Sequence, residues 1–126
     1  MKEEAKKARD IRERTFEYAL RAIKLYQYLI KRREGAASLI GRQFFKSATS
    51  IGANLEEAMS GESRADFIHK NGIAQKEARE SLYWLKLLAA SELVPQARLE
   101  PLLQETKEIL AIITAIITKA KKSSDK

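Results

Sequence analysis

Apolar residues in this chain recur every three to four positions rather than every two. That is the spacing of α-helices, each turning one stripe toward a shared core. The first such run covers about Glu4 to Arg33 and carries two apolar seams. One is Ile11, Thr15, Tyr18, Ala22, Leu25 and Leu29; the other is Phe16, Ala19, Ile23, Tyr26 and Ile30. A third seam is polar and mostly basic: Asp10, Arg14, Glu17, Arg21, Lys24, Tyr28 and Lys31. A second helix is predicted from about Ser38 to Met59, with the seam Ile40, Phe44, Ala48, Ile51, Leu55 and Ala58. Ser47, Ser50, Asn54 and Glu57 run beside it. Its stretch SATSIGANL (Ser47 to Leu55) holds no charge, so no side of it suits water and it must be surrounded by protein. Small side chains there admit a close neighbour, and any buried hydroxyl or amide then needs a hydrogen-bond partner.

The breaks between runs are equally readable. Helix one ends near Gly35 after Lys31-Arg32-Arg33, a cluster that complements the negative end of a helix dipole. Ser60-Gly61-Glu62 is followed by Ser63-Arg64-Ala65-Asp66, a capping pattern that starts helix three at about Arg64. The seam of that helix is Phe67, Asn71, Ala74, Ala78, Leu82, Leu85 and Leu88 or Ala89. Gly72 falls inside it at a cost of ~1 kcal/mol relative to Ala, which predicts a close helix contact there. Val94-Pro95 closes the element. Helix four is predicted to become regular near Glu100, because Pro101 suits a first turn, and to end near Lys119. It shows the seams Leu99, Leu103, Thr106, Leu110, Ile113, Ile117 and, alongside, Ile109, Ile112, Ile116.

Four helices with short connections predict an all-α, up-and-down four-helix bundle. It is read as a single domain over 1–126 with flexible ends at about 1–4 and 121–126. One stripe per helix fills such a core. Helices one and four carry two, and helix two is apolar or small on most sides, so a second buried surface is expected and with it a homo-oligomer.

Composition narrows the setting. A chain of 126 residues can bury a core without staples, and the absence of cysteine excludes disulfides and thiolate metal sites and suits the cytoplasm. The opening MKEEAKKARD has no apolar segment behind it and does not read as a signal peptide. IITAIIT (Ile112 to Thr118) falls far short of the ~20 residues of a membrane span, so a soluble protein with no membrane partner is expected. The net charge is +7, and residues 1–34 hold 11 bases against 6 acids, so most of the excess lies on helix one. A basic balance recruits nucleic acid or an acidic protein, or simply keeps a protein dissolved.

Catalytic chemistry finds little to build on. Asp66-x-x-His69 and Glu77-x-x-Glu80 lie on helix three, and Glu57 faces them from helix two. A di-iron carboxylate bundle wants two Glu-x-x-His pairs and two further glutamates, whereas this chain has one histidine and no Glu-x-x-His. Glu77 and Glu80 are instead expected to pair with nearby arginines or lysines, and His69 to be exposed. No P-loop, glycine-rich dinucleotide turn or HExxH occurs, and Ser47 and Ser50 have no base at a recognisable spacing. No catalytic residue, metal or cofactor is expected. The candidate binding residues are the bases of helix one, Arg14, Arg21, Lys24, Lys31, Arg32 and Arg33, which can neutralise phosphates. A solvated face explains them equally well, although repeating the seam around a ring would strengthen its field.

SATSIGANLEEA and SRADFIHKNGIAQKEARESLYWLKLL also resemble a known family. The matching features are Ser47, Ser50-Ile51-Gly52-Ala53-Asn54, Glu57-Ala58, Asp66-Phe67-Ile68, Ile73-Ala74, Lys76-Glu77-Ala78 and Tyr83-Trp84-Leu85. They are similar to the four-helix-bundle proteins encoded within intervening sequences of bacterial 23S ribosomal RNA genes. The resemblance implies a ring-like homopentamer with no established enzymatic activity. A related branch, the accessory variability determinants of diversity-generating retroelements, implies basic pentamers that bind nucleic acid and a reverse transcriptase. This chain departs from the pattern at Leu55-Glu56, Asn71 and Gln75. The expected role is RNA binding by a non-enzymatic oligomer; the competing one is a structural or protein-binding scaffold, with a metal-binding carboxylate bundle behind both.

Overall fold

The computed structural model describes residues 2–61 and 63–124, with side chains for 11–61 and 63–123. Among them are four helices and no strand: α1 Lys2–Arg32, α2 Gly35–Met59, α3 Arg64–Ala90 and α4 Gln96–Ser124. The connections are short, so successive helices run antiparallel. α1 packs against α2 and α4, and α3 against the same two, so the helices circle the core in chain order. The ends read as flexible, about 1–4 and 121–126, fall partly outside the described residues.

The first seam of α1 is the one that faces inward: Ile11, Thr15, Tyr18, Ala22, Leu25 and Leu29 are all buried. Phe44, Ala48, Ile51, Leu55 and Ala58 meet it from α2, and Leu99, Leu102, Leu103, Thr106, Ile109, Ile113 and Ile117 from α4. In α3 the stripe is Asn71, Ala74, Ala78, Ser81, Leu85 and Leu88; Ser81 enters where Leu82 was expected, and Leu82 is only half-buried. The Tyr18 ring meets Phe44 edge-on, with centroids 6.1 Å apart.

Midway along the bundle the core is crossed by hydroxyls, one from each helix. Tyr18 Oη lies 2.6 Å from Thr106 Oγ1, joining α1 to α4, and Ser47 Oγ lies 2.8 Å from Ser81 Oγ, joining α2 to α3. Thr106 donates to the Leu102 carbonyl at 2.6 Å, so the bridging proton belongs to Tyr18. Burial pushes the Tyr18 phenol up, while Thr106 and Ser81 draw it down. Sliding α1 against α4 would leave the buried Tyr18 hydroxyl unpaired at a cost of about 1–3 kcal/mol, whereas Ser47 and Ser81 also bond carbonyls of their own helices, so their pair resists a slide less.

Local chemistry sets the helix ends. Ser63 caps α3 as expected, its side chain accepting from the Asp66 N–H at 3.1 Å. Helix two begins at Gly35, three residues before the predicted Ser38, because the Ser38 N–H already bonds the Glu34 carbonyl at 2.9 Å. Helix four begins at Gln96 rather than near Glu100. Pro101 sits inside it, on an exposed side where the carbonyl it leaves without an intrahelical donor can meet water. The helix also runs past Lys119, to Ser124.

Gly72 does not mark a close contact: a Cβ there would meet nothing within 4 Å. The close approaches are at Gly41, where a Cβ would stand 2.5 Å from Leu29 Cδ1, and Gly52, 3.3 Å from Thr15 Oγ1. The two classes of glycine should answer Ala substitution with opposite signs. Gly72→Ala should raise stability by about 0.5–1 kcal/mol through backbone entropy, whereas Gly41→Ala gains the same entropy but must displace the tip of buried Leu29, for a net loss of about 1 kcal/mol. Urea unfolding of the two variants reads both signs.

Candidate nucleic-acid interface

The part of α1 that does not face the core divides into two surfaces. Along the α2 side lies the second apolar seam, anchored where Tyr26 meets Phe45 at 5.3 Å and Arg12 meets Glu56 at 3.3 Å. Its outer residues remain open to solvent, Phe16 at 65% exposed, Ile23 at 37% and Ile30 at 49%, and Leu20, which the seam did not include, adjoins them at 41%. The doubled seam of α4 is largely absorbed by the bundle, since Ile109 is fully buried and Ile112 and Ile116 pack partly against the core. The surplus apolar surface is therefore concentrated on α1, with Leu39 and Met59 of α2 and Tyr83 of α3 also exposed.

Along the α4 side lies the basic seam, and its members differ in state. The Arg14 fork bonds Glu105 at 3.0 and 2.7 Å and Glu108 at 3.0 Å. Glu105, foremost, holds the Arg14 guanidinium above its usual range. Gln104 steadies Glu108 from the same helix, and its hydrogen bond, ahead of Arg14, holds that carboxyl below the usual range. Two carboxylates thus balance Arg14, which fastens α1 to α4. Arg21 is half-buried beside a shallow recess lined by Glu13, Arg14, Glu17, Tyr18 and Glu105, and Lys24 is exposed. Lys31, Arg32 and Arg33 are exposed where α1 stops, with Arg33 in the left-handed region at φ 55°.

At that end the fold adds a residue that the sequence reading did not name. The Arg98 guanidinium lies 3.8 Å from the centroid of the Tyr28 ring, and Arg32 Nη1 donates to Tyr28 Oη at 2.6 Å. The available signal was topological: an up-and-down order brings the start of α4 alongside the end of α1.

Of the acidic residues considered for a metal, Glu57 is ion-paired, whereas among the described residues Glu77 and Glu80 make no ion pair with the arginines or lysines expected for them. Glu57 pairs with Lys70 at 2.9 Å, which holds its carboxyl below the usual range, and His69 is exposed. Burial, and then Glu80, raise the Glu77 carboxyl. Among the described residues no three His, Asp or Glu side chains are grouped to hold a metal ion. The departures from the family pattern also have structural uses. Leu55 is in the core, Glu56 pairs with Arg12, Asn71 donates to the Phe67 carbonyl at 2.9 Å, and Gln75 donates to Thr114 Oγ1 at 2.9 Å.

The family model described as 23S rRNA-intervening sequence protein matches residues 7–115. The chain belongs to the 23S rRNA-intervening sequence protein family. No curated protein matches it. It is similar to a crystal structure of a protein with unknown function from the S23 ribosomal protein family of Bacteroides thetaiotaomicron, at 37% identity and a TM-score of 0.83. The match covers 89% of this chain and 98% of that one. Four helices around one core are thus shared with this relative, and among the described residues no helix is long and apolar enough to cross a membrane.

Glu77, on α3 and away from the basic seam, offers a test of the fold's electrostatics. Its folded carboxyl is raised, so the ionised form weakens the fold at neutral pH, and that penalty vanishes as pH falls through the folded value and then the usual 4.5. Glu77→Gln should therefore stabilise the protein by about 0.5 kcal/mol at pH 7 and not at all well below pH 4.5, as read by urea unfolding at both pH values.

Proposed function

We propose that this protein is a self-associating, non-enzymatic bundle that binds RNA through the basic seam of α1. The observation that carries this reading is the divergence of α1's two outer surfaces, apolar along α2 and basic along α4. Copies that dock on the first leave the second open. Covering what remains exposed of Phe16, Leu20, Ile23 and Ile30 stabilises association by about 1 kcal/mol for each residue. The family resemblance supports a ring of five. Around such a ring Arg21, Lys24, Lys31, Arg32 and Arg33 repeat, and their summed field attracts a polyanion far better than one copy does. Arg14, already balanced by Glu105 and Glu108, contributes to the bundle rather than to the field. The resemblance to accessory variability determinants supports the same class of partner, nucleic acid or a protein that carries it, and the lack of cysteine fits a cytoplasmic setting.

A structural or protein-binding scaffold is the second reading, favoured by the same open apolar seam. It predicts a protein partner that survives nuclease treatment in a crosslinking pull-down.

Native mass spectrometry at micromolar concentration should show a homo-oligomer for the unaltered protein and monomer for the double variant Phe16→Lys, Ile23→Lys. A monomeric unaltered protein would contradict self-association. For RNA, Arg21→Glu with Lys24→Glu should weaken binding of a single-stranded oligomer at least about tenfold at low salt, and Arg14→Ala should change it far less. Absence of RNA binding at low salt, or indifference to the Arg21 and Lys24 reversals, removes the RNA reading.

A further inference from the structure

A cation on Tyr28 helps to join α4 to α1, but that contact needs one arginine and the ring holds two, Arg32 and Arg98. Arg32 has an ordinary reason to be where it is: it lies in the last turn of α1, where cations complement the helix dipole. Arg98 has the opposite placement. It is the third residue of α4, where the dipole is positive and a cation is disfavoured, and the first turn of α4 contains no acid to offset it. Among the described residues, neither arginine makes an ion pair.

What holds Arg98 is the Tyr28 ring. A guanidinium carbon 3.8 Å from a ring centroid must lie over the face, because an approach in the ring plane would strike its hydrogens. That stacking uses the π surface and leaves the N–H fork unspent. No hydrogen bond among the described residues uses the side chain of Arg98. Arg32 reaches the same ring at its edge, spending one donor on the phenolic oxygen and keeping four of its five. Two cations are thus fixed on one rigid aromatic, with most of their donors free. Exposed Lys31 and Arg33 flank Arg32 along the chain.

We infer that Tyr28, Arg32 and Arg98 form a phosphate clamp, the point at which the RNA backbone is gripped. Arg98 presents a two-pronged donor to the phosphodiester oxygens, and Arg32 supplies the second charge. Tyr28 positions both and contributes no contact of its own to the phosphate. The phosphate in turn relieves the repulsion between the cations and supplies the negative charge that the start of α4 lacks. The inference rests on the RNA reading above and deepens it, since it moves the centre of the interface from the middle of α1 to the α1–α4 end of the bundle.

The test is the salt dependence of binding to a single-stranded RNA oligomer, measured by fluorescence anisotropy for the unaltered protein and three variants. Arg98→Ala should weaken binding about threefold to tenfold at low salt and reduce the slope of log affinity against log salt by about 1. Tyr28→Leu, which frees both guanidiniums, should weaken binding with less change in slope, because both charges remain. Lys107→Ala removes an exposed base about two and a half turns along α4, on its opposite side, and should leave affinity and slope near the unaltered values. Circular dichroism confirms that each variant is folded; Arg98 is exposed, so its removal leaves the core intact. If the unaltered protein binds RNA and Arg98→Ala behaves like Lys107→Ala, the clamp is wrong and the RNA reading stands. If the unaltered protein binds no RNA, the RNA reading falls and the clamp with it.

Discussion

The rest of this structure depends on a layer of buried hydroxyls. Leucine and isoleucine stripes alone would let four helices slide or rotate past one another at small cost, because one methyl group packs much like the next. Tyr18 with Thr106 and Ser47 with Ser81 remove that freedom. All four members are buried, and between them the pairs tie α1 to α4 and α2 to α3; Ser47, Ser81 and Thr106 can fall back on carbonyls of their own helices, so it is Tyr18 whose hydroxyl most needs its partner across the core. Gly41 and Gly52 let α2 come close to α1 on either side of this layer, against Leu29 and Thr15. With rotation fixed, the orientation of α1 is fixed, and so is the choice of which residues it turns outward.

That choice sets what α1 shows to solvent. A bundle of this size needs one stripe from it, and the sequence provides three. The second lies on the flank of α1 beside α2 and the third on the flank beside α4. One helix therefore presents two different chemistries on its outer surface. The Arg14–Glu105–Glu108 fastener lies on the basic side and spends one cation to hold α4 in place. The bases left over gather toward the end of the bundle, where Tyr28 holds Arg32 and Arg98 together.

Much of this was legible in the chain because helical periodicity is a local signal. The inward seam of α1 and the Ser63 cap follow from residues within a few turns of one another, and both were read correctly. It was also legible that the hydroxyls near Ser47 would need partners, but Ser81 lies 34 residues away and its match depends on helix rotation. Arg14 looked like the other bases of its seam, since the carboxylates that claim it lie 91 and 94 residues along the chain. Gly72 misled because a glycine in a helix can mean a close neighbour or open space, and only the packed helices distinguish the two. The start of α4 at Gln96 is hidden in the sequence because a proline suits a first turn, whereas here Pro101 lies on an exposed face where water meets the freed carbonyl. Arg98 was invisible for a related reason: its importance comes from Tyr28, on the helix at the far end of the chain.

The central claim is that α1 turns its apolar seam to other copies of the chain and its basic seam to the outside. The measurement that tests it most directly is a structure of the assembled protein in solution, by electron cryomicroscopy at side-chain resolution. Phe16, Leu20, Ile23 and Ile30 should be buried between copies, with Lys24, Lys31, Arg32, Arg33 and Arg98 facing solvent. An assembly that buries the basic seam, or that leaves Phe16 and Ile23 bare, would contradict it.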